Sequence, residues 1–242
     1  QILSVLSWRG FMLTLMLQQT VTPLLGLAVW SAVMPGNRVI LAYFVALMAV
    51  QMITVCYEHE TFLHGITGGG LAGDLLRPHP VVLQVIGDNL AWRIWHVGLG
   101  APVVVVAAVI AGVTFEPAAV LLSLPAVLLA ALLRFLFSYV LVLTALWTQQ
   151  ARNVVNFGFT LIFLLGGAAA PIPLFPESFR AVGEALPFRA MHGFPAEIAS
   201  GALSAEPIIT GYAWQVWWAV LFTFVAIRTW RLGVRRYVAV GA

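Results

Sequence analysis

The chain has 242 residues, 62% of them hydrophobic and only 9% charged, with a formal net charge of +3. No water-soluble domain needs that much apolar surface, so the composition excludes a soluble globular protein and indicates a polytopic membrane protein. All 12 basic residues are arginines scattered along the chain, which argues against a nucleic-acid partner, and a single cysteine, Cys56, excludes an internal disulfide and a cysteine-built metal site.

Gln1–Trp8 reads as a short amphipathic lead-in, and residues 11–34 as the first membrane span. Thr14, Gln18 and Thr22 share one helical face of that span, with Gln19 beside them. Gln18, Gln19 and Thr22 either line a translocation path or hydrogen-bond to neighbouring helices. Pro35-Gly36-Asn37 is a turn, and residues 39–57 form the second span. Residues 58–96 are the longest polar interval, and within them the amphipathic run Val81–Trp95 is expected to lie along the interface. His59-Glu60-x-x-x-His64 misses the zinc-protease spacing by one residue, so its imidazoles fall on different helix faces. These groups read instead as a solvated polar face. Gly68-Gly69-Gly70 is not a phosphate loop, because no lysine follows it and the chain contains none.

Residues 97–115 form the third span, with a small-residue face at Ala107, Ala108, Ala111 and Gly112 suited to close helix packing. Residues 118–147 form the fourth span. At 30 residues it would be about 45 Å long, so it must tilt, kink at Pro125 or project beyond a ~30 Å hydrocarbon core. Arg134 is the one charge well inside a span, which makes it a functional candidate unless its guanidinium snorkels to the interface. Residues 154–170 form the fifth span. Pro171, Pro173 and Pro176 then stop the helix, and two short pieces follow, Glu177–Leu186 and Met191–Ser200, divided by Pro187. Each piece is too short to cross a bilayer, yet Leu174, Phe175, Phe179, Phe188 and Phe194 make the stretch too apolar for free solution. A broken helical hairpin over residues 171–203 that dips into or caps the membrane protein is expected. Residues 208–227 form the sixth span, followed by Arg228, Arg231, Arg235 and Arg236.

Six spans put both termini on one side, which then holds eight arginines against three on the other. The bias places the termini and residues 58–96 in the cytoplasm and the broken hairpin outside. The fold class is therefore all-α, a six-span polytopic membrane protein. No nucleophile–base–acid set is present and the spans lack a cluster of Asp, Glu or His, so the chain does not read as an enzyme.

Three stretches carry a family resemblance. Gly70-Leu71-x-Gly73-Asp74-Leu75-Leu76-Arg77-Pro78 resembles a loop segment of ABC-2-type permeases. Pro171, Phe175-Pro176, Leu186-Pro187-Phe188, Pro195 and Gly201 resemble that family's outer signature, and Trp230–Gly241 is similar to the tail of its viologen- and drug-exporter branch. The chain begins with Gln1 rather than Met, and the elbow helix of such permeases is only partly present, so further native chain is expected ahead of it.

The resemblance implies the permease subunit of an ATP-driven exporter in the bacterial inner membrane, multi-pass, with a cytoplasmic coupling helix and an outer re-entrant hairpin. It implies separate ABC ATPase subunits that bind ATP and Mg2+, a second permease as homo- or heterodimer, and no cofactor in this chain. Coupling to the ATPase falls to Gly70, Asp74, Leu75, Leu76, Arg77 and Pro78, and an outer gate to Pro171, Phe175, Pro176, Leu186, Pro187 and Phe188. The substrate path falls to Gln18, Gln19, Thr22 and Arg134. The sparse interior charge suits a hydrophobic or amphipathic cargo such as a drug or lipid. The alternatives are a polysaccharide or glycolipid permease and a scaffold protein that transports nothing.

Overall fold

The computed structural model describes residues 9–237, with side chains from Val21 onward. It is all-helical, 79% helix, with no strand among the described residues. The helices are α1 (Arg9–Val33), α2 (Arg38–Thr54), α3 (Phe62–Thr67), α4 (Gly70–Leu75), α5 (Val81–Ala111), α6 (Pro117–Leu143), α7 (Ala151–Leu165), α8 (Glu177–Ala185), α9 (Pro187–Met191), α10 (Gly193–Ala199) and α11 (Ala205–Val234). Single 3-10 turns follow α6 at Thr144–Leu146 and precede α8 at Ile172–Leu174.

Among the described residues three helical stretches are long and apolar enough to cross a membrane: Val81–Ala111, Pro117–Leu146 and Ala205–Val234. Val21–Val33, Arg38–Thr54 and Ala151–Leu165 are shorter apolar stretches. At 15 residues α7 is about 22 Å long, and it ends at Leu165 rather than Ala170 because Gly166 and Gly167 turn the chain back.

The third span and the amphipathic run before it are not separate. One helix, α5, runs unbroken through Val81–Ala111, about 46 Å. Trp95 and His96 lie inside it, and no proline or glycine pair interrupts the ladder there. It stops before Phe115 because Gly112 takes φ 61° and caps the last turn by donating to Ala108 and Val109. It approaches α2 tightly at Gly100, where a Cβ would sit 2.1 Å from the sulfur of Met52.

α6 is the hub. Pro117 starts it at the position where a missing N–H costs nothing, and Pro125 lies inside it without dividing it. Within its most apolar window 72% of residues are buried, against 17% in α5 and α11. α6 is thus the central post, while the outward faces of α5 (Val105, Val106, Val109, Ile110) and α11 (Ile209, Val216, Val220, Phe224) stay bare and require lipid. Core clusters form around it: Phe135, Tyr139, Val142 and Leu143 pack on Phe62, Leu63 and Leu71 from α3 and α4. Leu133 and Phe137 pack on Phe188 and Met191 from α9.

The broken hairpin forms, but its second half is not a surface helix. Every residue from Pro187 to Ile198 is buried, and a further break at His192 splits the expected Met191–Ser200 piece. α10 lies against α11 at Gly211, where a Cβ would come within 2.0 Å of the Phe194 ring.

Candidate functional site

Three regions carry chemistry: an exposed tip, a buried polar seam and the hairpin root. The tip is α4 with the turn that follows it. Gly69 enters α4 with φ 81°, a conformation that favours glycine. Leu71 is fully buried and anchors α4 in the core, whereas Leu75 to Pro80 are all exposed, Leu76 at 88%. Arg77 Nη1 lies 3.4 Å from Asp74 Oδ1 and donates to Gln84 Oε1 at 2.8 Å, fixing the turn to the start of α5. The proposed coupling residues Gly70, Asp74, Leu75, Leu76, Arg77 and Pro78 thus sit together on one knob, with Asp74 alone of the six half-buried.

Below the knob lies the seam. After Thr54 the chain leaves the helix, and Val55–Glu58 run buried between α5 and α6. Backbone groups stranded there need partners. Arg93 supplies them, donating from Nε to the Val55 carbonyl at 2.8 Å and from Nη2 to the Ala131 carbonyl at 3.1 Å. The Tyr57 amide donates to Asn89 Oδ1 at 3.3 Å, and the Tyr57 hydroxyl lies 2.9 Å from the His96 ring. Glu58 is fully buried beside Ser138 and Asn89. Burial pushes its carboxyl up to about 7, although Ser138, Arg93 and Asn89 act the other way. His59 is pushed down to about 4, again chiefly by burial. Of the groups read as a solvated polar face, His64 is exposed and His59 and Glu60 are half-buried, while Glu58 before them is buried. Two of them tie the seam to α7: Arg152 reaches Glu60 at 3.7 Å and His64 at 3.3 Å. No group of three metal-ligating side chains occurs among the described residues.

Deeper still, Arg134 is buried at 8% exposure rather than snorkelling out, and its Nη1 donates to Thr54 Oγ1 at 3.0 Å. It lines a cavity of about 120 Å3 with Thr22, Gln51 and His192 on the polar side and Phe159, Ile162, Phe163 and Ala168 on the apolar side. Of the four residues assigned to a substrate path, Thr22 and Arg134 meet here; the side chains of Gln18 and Gln19 lie outside the described residues.

The hairpin root closes the far side. Tyr43 Oη donates to the Gly167 carbonyl at 2.9 Å, Gln215 Nε2 to Ala126 and Ala190 at 2.9 Å each, and Trp218 Nε1 to Ala185 at 3.1 Å. Arg189 and Glu197 form a buried ion pair, with Phe194 under the guanidinium at 5.6 Å. Arg189 is thus an interior residue and not the surface arginine its place in a connecting stretch suggests. The proposed gate residues divide. Pro187 and Phe188 are buried, with Phe188 edge-on to Phe137 at 5.8 Å, and Pro171 is also buried. Phe175 and Leu186 are half-buried and Pro176 is exposed.

A lateral groove of about 770 Å3 joins the knob to the end of α11. Asp74, His79 and Arg231 stand at its polar end, and Leu128, Phe135 and Trp230 are among its apolar walls. Sequence reasoning missed the seam, because Asn89 and Arg93 on α5 meet Ser138 on α6 only in the fold. His192 and Gln51 carried a faint signal, as polar residues in apolar runs.

The family model for ABC-2 family transporter proteins matches residues 6–241 of this chain. No curated protein and no solved structure matches it.

Proposed function

The chain belongs to the ABC-2 family of transporter proteins, and from that premise we propose that it is the permease subunit of an ATP-driven exporter. In this reading α1, α2, α5, α6, α7 and α11 supply six spans in the bacterial inner membrane, with both termini cytoplasmic. Separate ABC ATPase subunits bind ATP and Mg2+, and a second permease, identical or not, completes the path.

The observation that carries the reading is the knob. Leu75–Pro80 is fully exposed and includes a bare Leu76, yet it stands on a rigid base through Leu71 and Arg77. Exposed apolar residues on a rigid support are the signature of a docking surface. ATP-driven closure of the ATPases presses on this knob, the seam transmits the push to α5 and α6, and the hairpin yields at Pro171–Pro176 and Leu186–Phe188. The path runs past Gln18, Gln19, Thr22 and Arg134. The size of the lateral groove falls within that of small-molecule sites, and its apolar walls favour a hydrophobic or amphipathic cargo.

The test is mild-detergent purification from native membranes with an ATPase assay on the eluate. A soluble ATPase is expected to co-purify, and Asp74→Ala with Arg77→Ala is expected to uncouple hydrolysis from transport while the permease stays folded. Isolation alone and without ATPase activity, across several detergents, would refute the exporter reading in favour of a scaffold. Transport by the double variant at the parent rate would refute the coupling assignment.

A further inference from the structure

The cavity at Arg134 has a chemistry that the permease reading does not specify. Arg134 is buried in mid-helix, and its Nη1 is held by a neutral hydroxyl. Its Nε has no partner among the described residues. Among the described residues no carboxylate lies within 4 Å of it: the ion pairs present belong to His59, Arg77, Arg152 and Arg189. Glu58 contributes to its field only from farther away, and Arg93 opposes it. A desolvated cation with so little compensation is strongly disfavoured unless something else satisfies it.

The groups around it indicate what that is. His192 is 3% exposed, and neither ring nitrogen has a partner among the described residues. Gln51, at 5% exposure, and the Thr22 hydroxyl add to the polar wall, and among the described residues no acidic side chain lines the space. A positively charged or purely apolar group gains nothing from this wall. The volume of about 120 Å3 corresponds to about four water molecules at liquid density, or to one small oxyanion. A guanidinium offers parallel N–H donors matched to carboxylate or phosphate oxygens.

The geometry points to a binding site for an oxyanion, a carboxylate or phosphate group, held by Arg134 and His192 with Gln51 and Thr22 beside them. The aromatic and aliphatic wall formed by Phe159, Ile162 and Phe163 suits a group attached to an apolar body. The anion's role as part of a cargo rests on the permease reading; its binding does not.

The test uses the full chain in phosphatidylcholine nanodiscs, with unfolding followed by tryptophan fluorescence. Two probes separate the sources of the anion: phosphatidic acid in the disc, and inorganic phosphate in solution, each against sodium chloride of equal ionic strength. A ligand that binds only the folded state raises the transition saturably, so an upward shift of several degrees with at least one probe is expected. A response to phosphatidic acid alone assigns the site to the headgroup of an amphiphile, and a response to phosphate assigns it to a free anion. Arg134→Gln should abolish the shift, and Gln51→Leu and His192→Leu should each weaken binding about tenfold. Arg180→Gln, on an exposed hairpin arginine, should leave it unchanged. If Arg134→Gln does not fold, the Gln51 and His192 variants decide alone. No saturable shift with either probe, or equal shifts in parent and cavity variants, overturns the assignment. A specific anion response without any ATPase partner would leave the site standing and refute the transport reading; ATP-coupled transport without the response would do the reverse.

Discussion

Replacing Glu197 by alanine should be the most damaging single change in the hairpin. Arg189 Nη2 stands 2.5 Å from Glu197 Oε2, and Nε lies 3.2 Å from both carboxyl oxygens. The two side chains are 9% and 1% exposed, so solvent screens the pair little. Burial pushes the Glu197 carboxyl up more than Arg189 pulls it down. Replacing a buried ion pair by well-packed apolar side chains of similar volume is often neutral or stabilising. Breaking it is another matter. Glu197→Ala strands a buried guanidinium, a change that costs about 3–5 kcal/mol. At about 2–4 °C per kcal/mol for a chain of this size, the loss is on the order of 10 °C. The combined Arg189→Met, Glu197→Leu variant removes both charges and should recover most of that loss. Tryptophan-fluorescence unfolding of the three proteins in nanodiscs is the assay. A fall of under about 2 °C for Glu197→Ala, or a double variant no better than the single, would refute the reasoning.

The remaining predictions concern the seam, the hairpin contact and the knob. For Glu58 the folded carboxyl titrates at about 7, above its ordinary value of 4.5, so burial favours the protonated form. That stability is fully present below pH 4.5 and is lost as pH rises toward 7. Glu58→Gln should accordingly match the parent near pH 4.5 and exceed it by about 3 kcal/mol above pH 7, measured as the difference in unfolding transition across pH; a difference that does not grow with pH sinks the assignment. His59, held down to about 4, loses stability in the opposite direction as pH falls below 6.5, so the Glu58→Gln variant should still soften in acid. Gly211→Ala puts a methyl group into the Phe194 ring and should cost about 1–3 kcal/mol; Phe194→Leu in the same chain should relieve part of that cost. Leu76→Ser, on a side chain 88% exposed, should change folding stability by less than about 0.5 kcal/mol while reducing the ATPase recovered on co-purification.

Much of this protein is legible along one dimension. Apolar run length and several of the prolines locate the helices, because a bilayer needs helices of fixed length and proline favours helix boundaries, although Pro23, Pro102 and Pro125 lie inside helices. Pro117, Asn37 and the Pro171–Pro176 series mark real boundaries. The knob was readable for the same reason, since Gly70–Pro78 is contiguous and its exposure follows from its own glycines and charges. Where the pattern misled, the cause was context. Val81–Trp95 is amphipathic, yet nothing in its backbone stops it from continuing into the span, and the one helix Val81–Ala111 results.

The chemistry of the interior belongs to the tertiary structure alone. Glu58 sits in a polar interval, but burial depends on which side chains cover a residue, and Asn89 of α5 and Ser138 of α6 lie beside this one. Arg134 faces inward because α6 is the central post, a position set by packing on every side rather than by its own pattern. Thr22, Gln51, Arg134 and His192 come from α1, α2, α6 and the break between α9 and α10, and only the fold brings them around one cavity. The sequence by itself determined an all-helical membrane chain with a contiguous glycine-rich, charged segment at Gly70–Pro78, because hydrophobicity and helix punctuation act locally. Which polar groups share the interior, and so what the interior can bind, depended on contacts between distant helices that no local pattern encodes.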